Sequence, residues 1–293
     1  MVFPDMADDP TTEALVSQLT KIIHARIEQD RLVLPAMPKV ASRCLELLKD
    51  PGLATRKLVM LLETDPVFAA QVSRAASTAA FGGQPARSLD AAISRLGLDT
   101  LRVVVTQAAA KSLFVTTNRQ IAARLELVWK HSVAVAILAR DVAALMKADA
   151  SVAYLTGLLH DVGKTVVATM LVEAESSLGK KGWITADQWS RVVSASHRSI
   201  GIALSERWNL DGEVIAAIRD CDEYDPTERT SIANVVRFAN ALVKTQGVHG
   251  GHVELEEAKA LVAIGRSMLD LDEATVDRLA QGLKERVDGA LAA

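Results

Sequence analysis

Hydrophobic positions recur at helical spacing along most of the chain. Leu15, Leu19, Ile22, Ile23 and Ile27 lie three and four apart behind Thr11 and Thr12, which are placed to cap, so a leading amphipathic helix is expected after an acidic, proline-containing start that should fray. Pro35 and Pro38 disfavour helix before the first and let a new helix begin near the second, which sets a boundary near residue 30. From there to about residue 130, short helices are separated by explicit stops: LKDPG at 48–52, ETDP at 63–66, FGG at 81–83 and LGLD at 96–99. The stretch from Trp129 to Leu145 is strongly periodic, with Val135, Leu138, Val142 and Leu145 on one stripe. The next helix, YLTGLLH, is expected to end where Gly163 can terminate it. Ile200, Leu204 and Trp208 mark another helix, Val214, Ile215 and Ile218 the next, and Ile232, Val235, Val236, Ala239 and Leu242 a third. Past the glycine-rich break TQGVHGGH at 245–252, LEEAKALVAIGRSML and ATVDRLAQGLKERV read as a C-terminal helical pair, either packed on the core or forming a small cap. No segment alternates with period two for long, and no internal repeat is visible. The expectation is an all-α protein with more than ten helices.

Composition agrees with that class. Only 4% of the 293 residues are aromatic and Ala, Leu and Val dominate, which favours helix packing over a sandwich of aromatic and β-branched strands. A net charge of -3, with basic residues scattered among acidic ones, leaves no footprint for nucleic acid as a partner. Cys44 and Cys221 stand far apart and outside any C-x-x-C pair, so they read as reduced, buried thiols. The start has no basic region followed by an apolar run, and no uninterrupted apolar stretch of about 18 residues occurs. A cytoplasmic protein without a membrane partner is expected.

Candidate chemistry centres on His131 and the His160-Asp161 pair, carried by two adjacent helices. Two imidazoles and a carboxylate from packed helices can converge on one divalent ion; equally, each can be a hydrogen-bonded structural residue. Lys164 could face a phosphate or complement a helix dipole. Trp129, Trp183, Trp189 and Trp208 read as packing anchors rather than a ligand cage, and His24, His249 and His252 as residues outside the constellation, the last two in a solvated loop.

GLLHDVGK together with WKHSVAVAILAR resembles the HD superfamily of metal-dependent phosphohydrolases. LPAMPKVASRCLELLKDP, LLETDPVFAAQVSRAAS and SLDAAISRLGLDTLR, in that order upstream, are similar to its signalling branch, the HDOD family, over about residues 32 to 245. The resemblance implies a helical half at 31–128 and an HD-like half at 129–245, flanked by a tail and leading helix at 1–30 and a helical extension at 246–293. It implies metal ligands at His131, His160 and Asp161. The closing aspartate of the superfamily matches Asn240, whose neutral amide weakens the site. His197 matches a histidine common in the superfamily, Asp220, Cys221 and Asp222 stand where relatives often carry a histidine run, and the GYP signature of the phosphodiesterase branch is absent. Ser77-Thr78 replaces the usual Asn-Ser. The function implied by the resemblance is that of a non-catalytic bacterial regulator that meets other signalling proteins, with no obligatory cofactor and at most a weakly held Fe, Mn or Mg ion. The alternatives are a single-metal nucleotidase or phosphodiesterase using His131, His160 and Asp161, with Lys164 as its candidate catalytic group, and a plain helical scaffold.

Overall fold

A computed structural model describes the chain except residues 1–9, 30, 79–80, 180–182, 252 and 293. The described residues form α-helices and one 3-10 turn, with no strand among them. Helix α1 spans Pro10–Glu28. The first half contains α2 (Lys39–Leu47), α3 (Thr55–Leu62), α4 (Pro66–Ala76) and α5 (Leu89–Lys111). The second contains α6 (Ala122–Met146), α7 (Ala150–Leu159), α8 (Gly163–Leu178), α9 (Ala186–Arg207), α10 (Gly212–Asp220) and α11 (Ile232–Thr245), followed by α12 (Leu255–Met268), α13 (Glu273–Ala280) and α14 (Leu283–Ala292).

Local chemistry sets most boundaries. The Asp65 carboxylate accepts from the Val67 amide at 2.9 Å and Pro66 takes the first turn of α4, where its missing N–H costs nothing. Asp149 caps α7 in the same way, and Thr185 with Gln188 forms a capping box on α9. The LGLD stop is a kink inside α5, where Gly97 adopts φ 75°. At the other end, Gly282 (φ 65°) divides ATVDRLAQGLKERV into α13 and α14, so one expected helix is two. Thr11 and Thr12, expected to cap α1, lie inside its first turn. The start expected to fray, and His252, fall outside the described residues.

Helix α6 is the axis of the molecule. Every residue from His131 to Ala139 is buried, as befits a helix that is apolar nearly all round. Val135, Leu138 and Val142 are fully buried, but Leu145, placed on their stripe, is half exposed. Helices α7, α11 and α14 pack on α6, α8 pairs with α9, α4 with α5, and α5 meets α7 to join the two halves. One hydrophobic core runs from Val16 to Val287, so α1 (packed on α9) and the C-terminal helices share it. Among the described residues one segment, Ala150–Ser177, is long and apolar enough to cross a membrane by composition; it is 83% buried in this core.

Candidate metal centre and its cleft

Two glycines bring the His-Asp pair to its neighbours. A Cβ on Gly157 would lie 2.9 Å from the Ala136 Cα, so α7 approaches α6 as only glycine permits. A Cβ on Gly163 would overlap the His197 carbonyl oxygen, so the start of α8 presses on α9. Gly163 therefore opens α8 instead of ending α7, contrary to the sequence expectation; close packing, not a left-handed cap, selects glycine there. His160, Asp161 and Val162 form the turn between, held by His160 N–H to the Thr156 carbonyl (2.8 Å) and Lys164 N–H to the Asp161 carbonyl (2.9 Å).

The arrangement converges on Asp161. Its Oδ2 lies 3.6 Å from His131 Nε2 and 3.4 Å from His160 Nε2, and its Oδ1 lies 3.5 Å from His197 Nε2. Ligand atoms of His131, His160 and Asp161 all fall within 4.8 Å of one another, compatible with a shared ion at bond lengths of about 2 Å. The histidine tautomers follow from their partners. His131 Nδ1 donates to the Val248 carbonyl (2.9 Å) and His160 Nδ1 to the Gly157 carbonyl (2.7 Å), since a carbonyl can only accept. Each Nε2 thus keeps a lone pair for the centre, and that of His160 is buried without a hydrogen-bond partner. Burial pushes the His131 pKa down to about 3 and that of His197 down to about 4, so both rings are neutral, as metal ligands must be. Burial works against the Asp161 charge, but the facing His160 ring, whenever it is protonated, and the Lys164 ammonium at 2.7 Å outweigh it and hold the carboxyl well below the usual range.

Asn240, on α11, lines the same cleft as His131 and Asp161, and its Oδ1 is also buried without a partner. Two imidazoles and one carboxylate lie at the spacing that a single divalent cation needs, and the amide lines the same cleft. They offer it one negative charge, and Lys164 Nζ already bonds Asp161 Oδ2 at 2.7 Å. Lys164 sits in the first turn of α8 rather than past a helix end, so Asp161, not a C-terminal dipole, compensates its charge.

The other expected positions divide. His197 lies at the centre. Asp222 reaches the cleft through an ion pair with Arg198, whose guanidinium also donates to the Cys221 sulfur and the Ile218 carbonyl. Asp220 is exposed at the end of α10 and does not line the cleft, so it is no part of the site. Ser77 and Thr78 turn their hydroxyls back onto the Ser73 and Ala75 carbonyls at the end of α4, away from any shared contact. Cys44 is buried, while Trp129 and Trp208 are packing anchors as expected. Trp189 packs at the edge of the core as expected and also lines the cleft, as does the exposed His249. His24 bonds Ser199, tying α1 to α9. Sequence reasoning missed Arg198, Arg237 and Lys244. The last two stand with Asn240 at i, i+3 and i+7, on the face of α11 opposite its apolar stripe, and that spacing was the signal available.

Comparison with known proteins adds family and fold. The family model of the HDOD domain matches residues 34–224, ending short of the limit near 245 expected from the sequence. An uncharacterised protein of Treponema pallidum (strain Nichols) is 25% identical over 221 residues, 71% of this chain and 42% of that protein. A protein named Ribonuclease Y from Thermus thermophilus is 37% identical over 115 residues, 39% of this chain and 16% of that protein. The chain thus spans less than half the length of these relatives. Two crystal structures share the fold. One is a candidate metal-dependent phosphohydrolase from Shewanella amazonensis SB2B (TM-score 0.69, 22% identity, 93% of this chain and 99% of that one). The other is a candidate signal transduction protein from Marinobacter aquaeolei VT8 (TM-score 0.66, 24% identity, 94% and 65%).

Proposed function

Since the chain belongs to the HDOD family, we propose that it is a non-catalytic signalling module of the bacterial cytoplasm that acts by binding other signalling proteins. The observation that carries this reading is the charge of the centre. Of the three ligands that converge, only Asp161 is anionic, its Oδ2 is already bonded by Lys164, and Asn240, which lines the same cleft, adds no charge. A bound divalent ion would polarise a phosphoryl oxygen and lower the pKa of a bound water. His131, His160, Asp161 and Asn240 would hold that ion, weakly, and among the described residues no second group of His, Cys, Asp and Glu ligands lies close enough for another.

The second reading, a single-metal phosphohydrolase, is favoured by the two orphaned atoms, His160 Nε2 and Asn240 Oδ1, which an ion would satisfy. One experiment separates the two. Protein purified without chelators is analysed for metal, then assayed with Mn, Mg and Fe against nucleotides, phosphodiesters and single-stranded RNA. The regulatory reading expects little metal and no turnover. Metal-dependent turnover that His160→Ala abolishes would establish the enzyme instead.

A further inference from the structure

The cleft over Asp161 has a volume of about 720 Å³, large enough for a molecule of nucleotide size. Its α11 wall is the polar stripe Arg237, Asn240 and Lys244, all beyond the last residue of the family match. The polar atoms of that stripe are underused. Arg237 Nε is buried with no hydrogen-bond partner, and the rest of the guanidinium makes one long bond to the Cys221 carbonyl (3.4 Å) and lies 5.1 Å from the Tyr224 ring centre. The half-buried Lys244 ammonium has no hydrogen bond and no ion-pair partner within 4.0 Å among the described residues, and burial lowers its pKa. Such groups carry a desolvation cost that an anion would offset. Two of the three carboxylates lining the cleft are already neutralised, Asp161 by Lys164 and Asp222 by Arg198, which leaves Glu257 against the free cations. Another part of the cleft wall is apolar and aromatic, with Leu127 exposed and Trp189 lying under Arg124, 5.6 Å from it.

We propose that this cleft is a receptor for a small phosphorylated ligand of the nucleoside monophosphate class, its phosphate held by Arg237, Asn240 and Lys244 and its flat body laid against Trp189. The inference rests on the non-catalytic reading and names what that centre would bind. The amide at 240 decides the sign of the site. An aspartate there would set a negative charge between Arg237 and Lys244 and repel a phosphate, whereas an amide turned by half a rotation presents its NH2 group to a phosphate oxygen.

The test titrates the chelator-treated full chain with adenosine monophosphate, followed by calorimetry and tryptophan fluorescence. Saturable one-to-one binding is expected, weakened by salt and weakened at least about tenfold in Lys244→Met and in Asn240→Asp, with thermal melts confirming that both variants fold. Inorganic phosphate should compete more weakly, and adenosine should not bind. A short 5′-phosphorylated RNA, titrated in parallel, identifies the source of the phosphate. No saturable binding of the mononucleotide, equal binding by the folded variants, or binding of the RNA alone overturns the proposal. The same samples are then assayed for turnover with Mn. Turnover overturns the non-catalytic reading and with it this inference, whereas absent binding with absent turnover overturns the receptor alone.

Discussion

The two halves of the molecule bury different chemistry. Of the ten buried polar or charged side chains among the described residues, only Thr106 belongs to residues 31–128, while the rest, from His131 to Asn234, lie between 129 and 245. The core of the first half is Leu58, Leu62, Val72, Leu101 and Val105, with its polar groups, apart from the unpartnered Thr106 hydroxyl, at caps and surface. The second wraps a similar apolar sheath around His131, His160 and Asp161 and leaves several of its polar atoms unpartnered, among them His160 Nε2 and Asn240 Oδ1. Packing alone accounts for the first half. In the second, burial of groups that would be more stable in water is a standing cost, and such a cost marks the place where a ligand would lower the free energy.

The contrast between the halves can be broken most sharply at two glycines. Gly163→Ala drives a Cβ into the His197 carbonyl where α8 meets α9, with backbone on both sides and no flexible side chain to move. A loss above about 3 kcal/mol is expected, enough to prevent folding or to separate α8 from α9. Gly97→Ala, in the first half, meets nothing within 4 Å and suffers only the backbone strain of φ 75° with ψ 168°, a region essentially reserved to glycine, about 2 kcal/mol. Equal melting temperatures for the two variants would show that the contact around the His-Asp turn is slack and that the second half is not the tightly constrained one.

Acid should act on the second half first. His131 and His197 have pKa values lowered from 6.5 to about 3 and about 4. Above pH 6.5 both are neutral whether folded or unfolded, and they contribute nothing to the pH dependence. As pH falls below 6.5 the unfolded chain takes up protons that the folded chain refuses, and stability declines by about 1.4 kcal/mol per pH unit for each histidine until the folded values are reached. Asp161, depressed below its ordinary value, adds to the loss below about pH 4 and so acts in the same direction. Chemical unfolding at pH 7.5, 6 and 5 should show a fall that His197→Gln reduces. Stability that is flat across this range would mean that the histidines are solvated.

How much of this could be read from the chain follows the same division. The helices and their stops at LKDPG, ETDP and LGLD were legible because each depends on local turn chemistry or on an unbroken apolar period, whereas the convergence of His131 with His160-Asp161 was legible through the family resemblance, since spacing alone leaves each of them a structural residue. Gly163 was misread because its role depends on α9, a neighbour more than thirty positions away, and no local pattern reports a close backbone approach. Asp220 enters the site with Asp222 only because both stand where relatives often carry a histidine run, yet at the end of α10 Asp222 lines the cleft and Asp220 is exposed outside it. The Val248 carbonyl, which sets the His131 tautomer, is backbone and so has no residue-type signature at all.

Asn240→Asp sharpens the contrast from within the second half. The change keeps the shape, adds a second anionic donor beside Asp161, and is flanked on α11 by Arg237 and Lys244, which supply countercharge. Manganese affinity, measured by competition with a fluorescent chelator, should rise about tenfold, roughly 1.4 kcal/mol. An intact fold with unchanged affinity would remove Asn240 from the centre.

The smallest expected effect concerns one device used in both halves. Asp65 caps α4 through the Val67 amide at 2.9 Å, and Asp149 caps α7 through the Ser151 amide at 2.8 Å. Alanine at either position should cost about 1 kcal/mol, because each removes one partner from an exposed helix start and leaves the core untouched. The halves should nonetheless respond alike at the metal centre. Although α7 carries Asp149 at one end and leads into His160 at the other, Gly157 against Ala136 and Gly163 against His197 clamp the turn independently of the cap. Manganese affinity should therefore be unchanged in both variants. A selective loss in Asp149→Ala would show that the helix start, rather than the two glycine contacts, holds His160 and Asp161 in place.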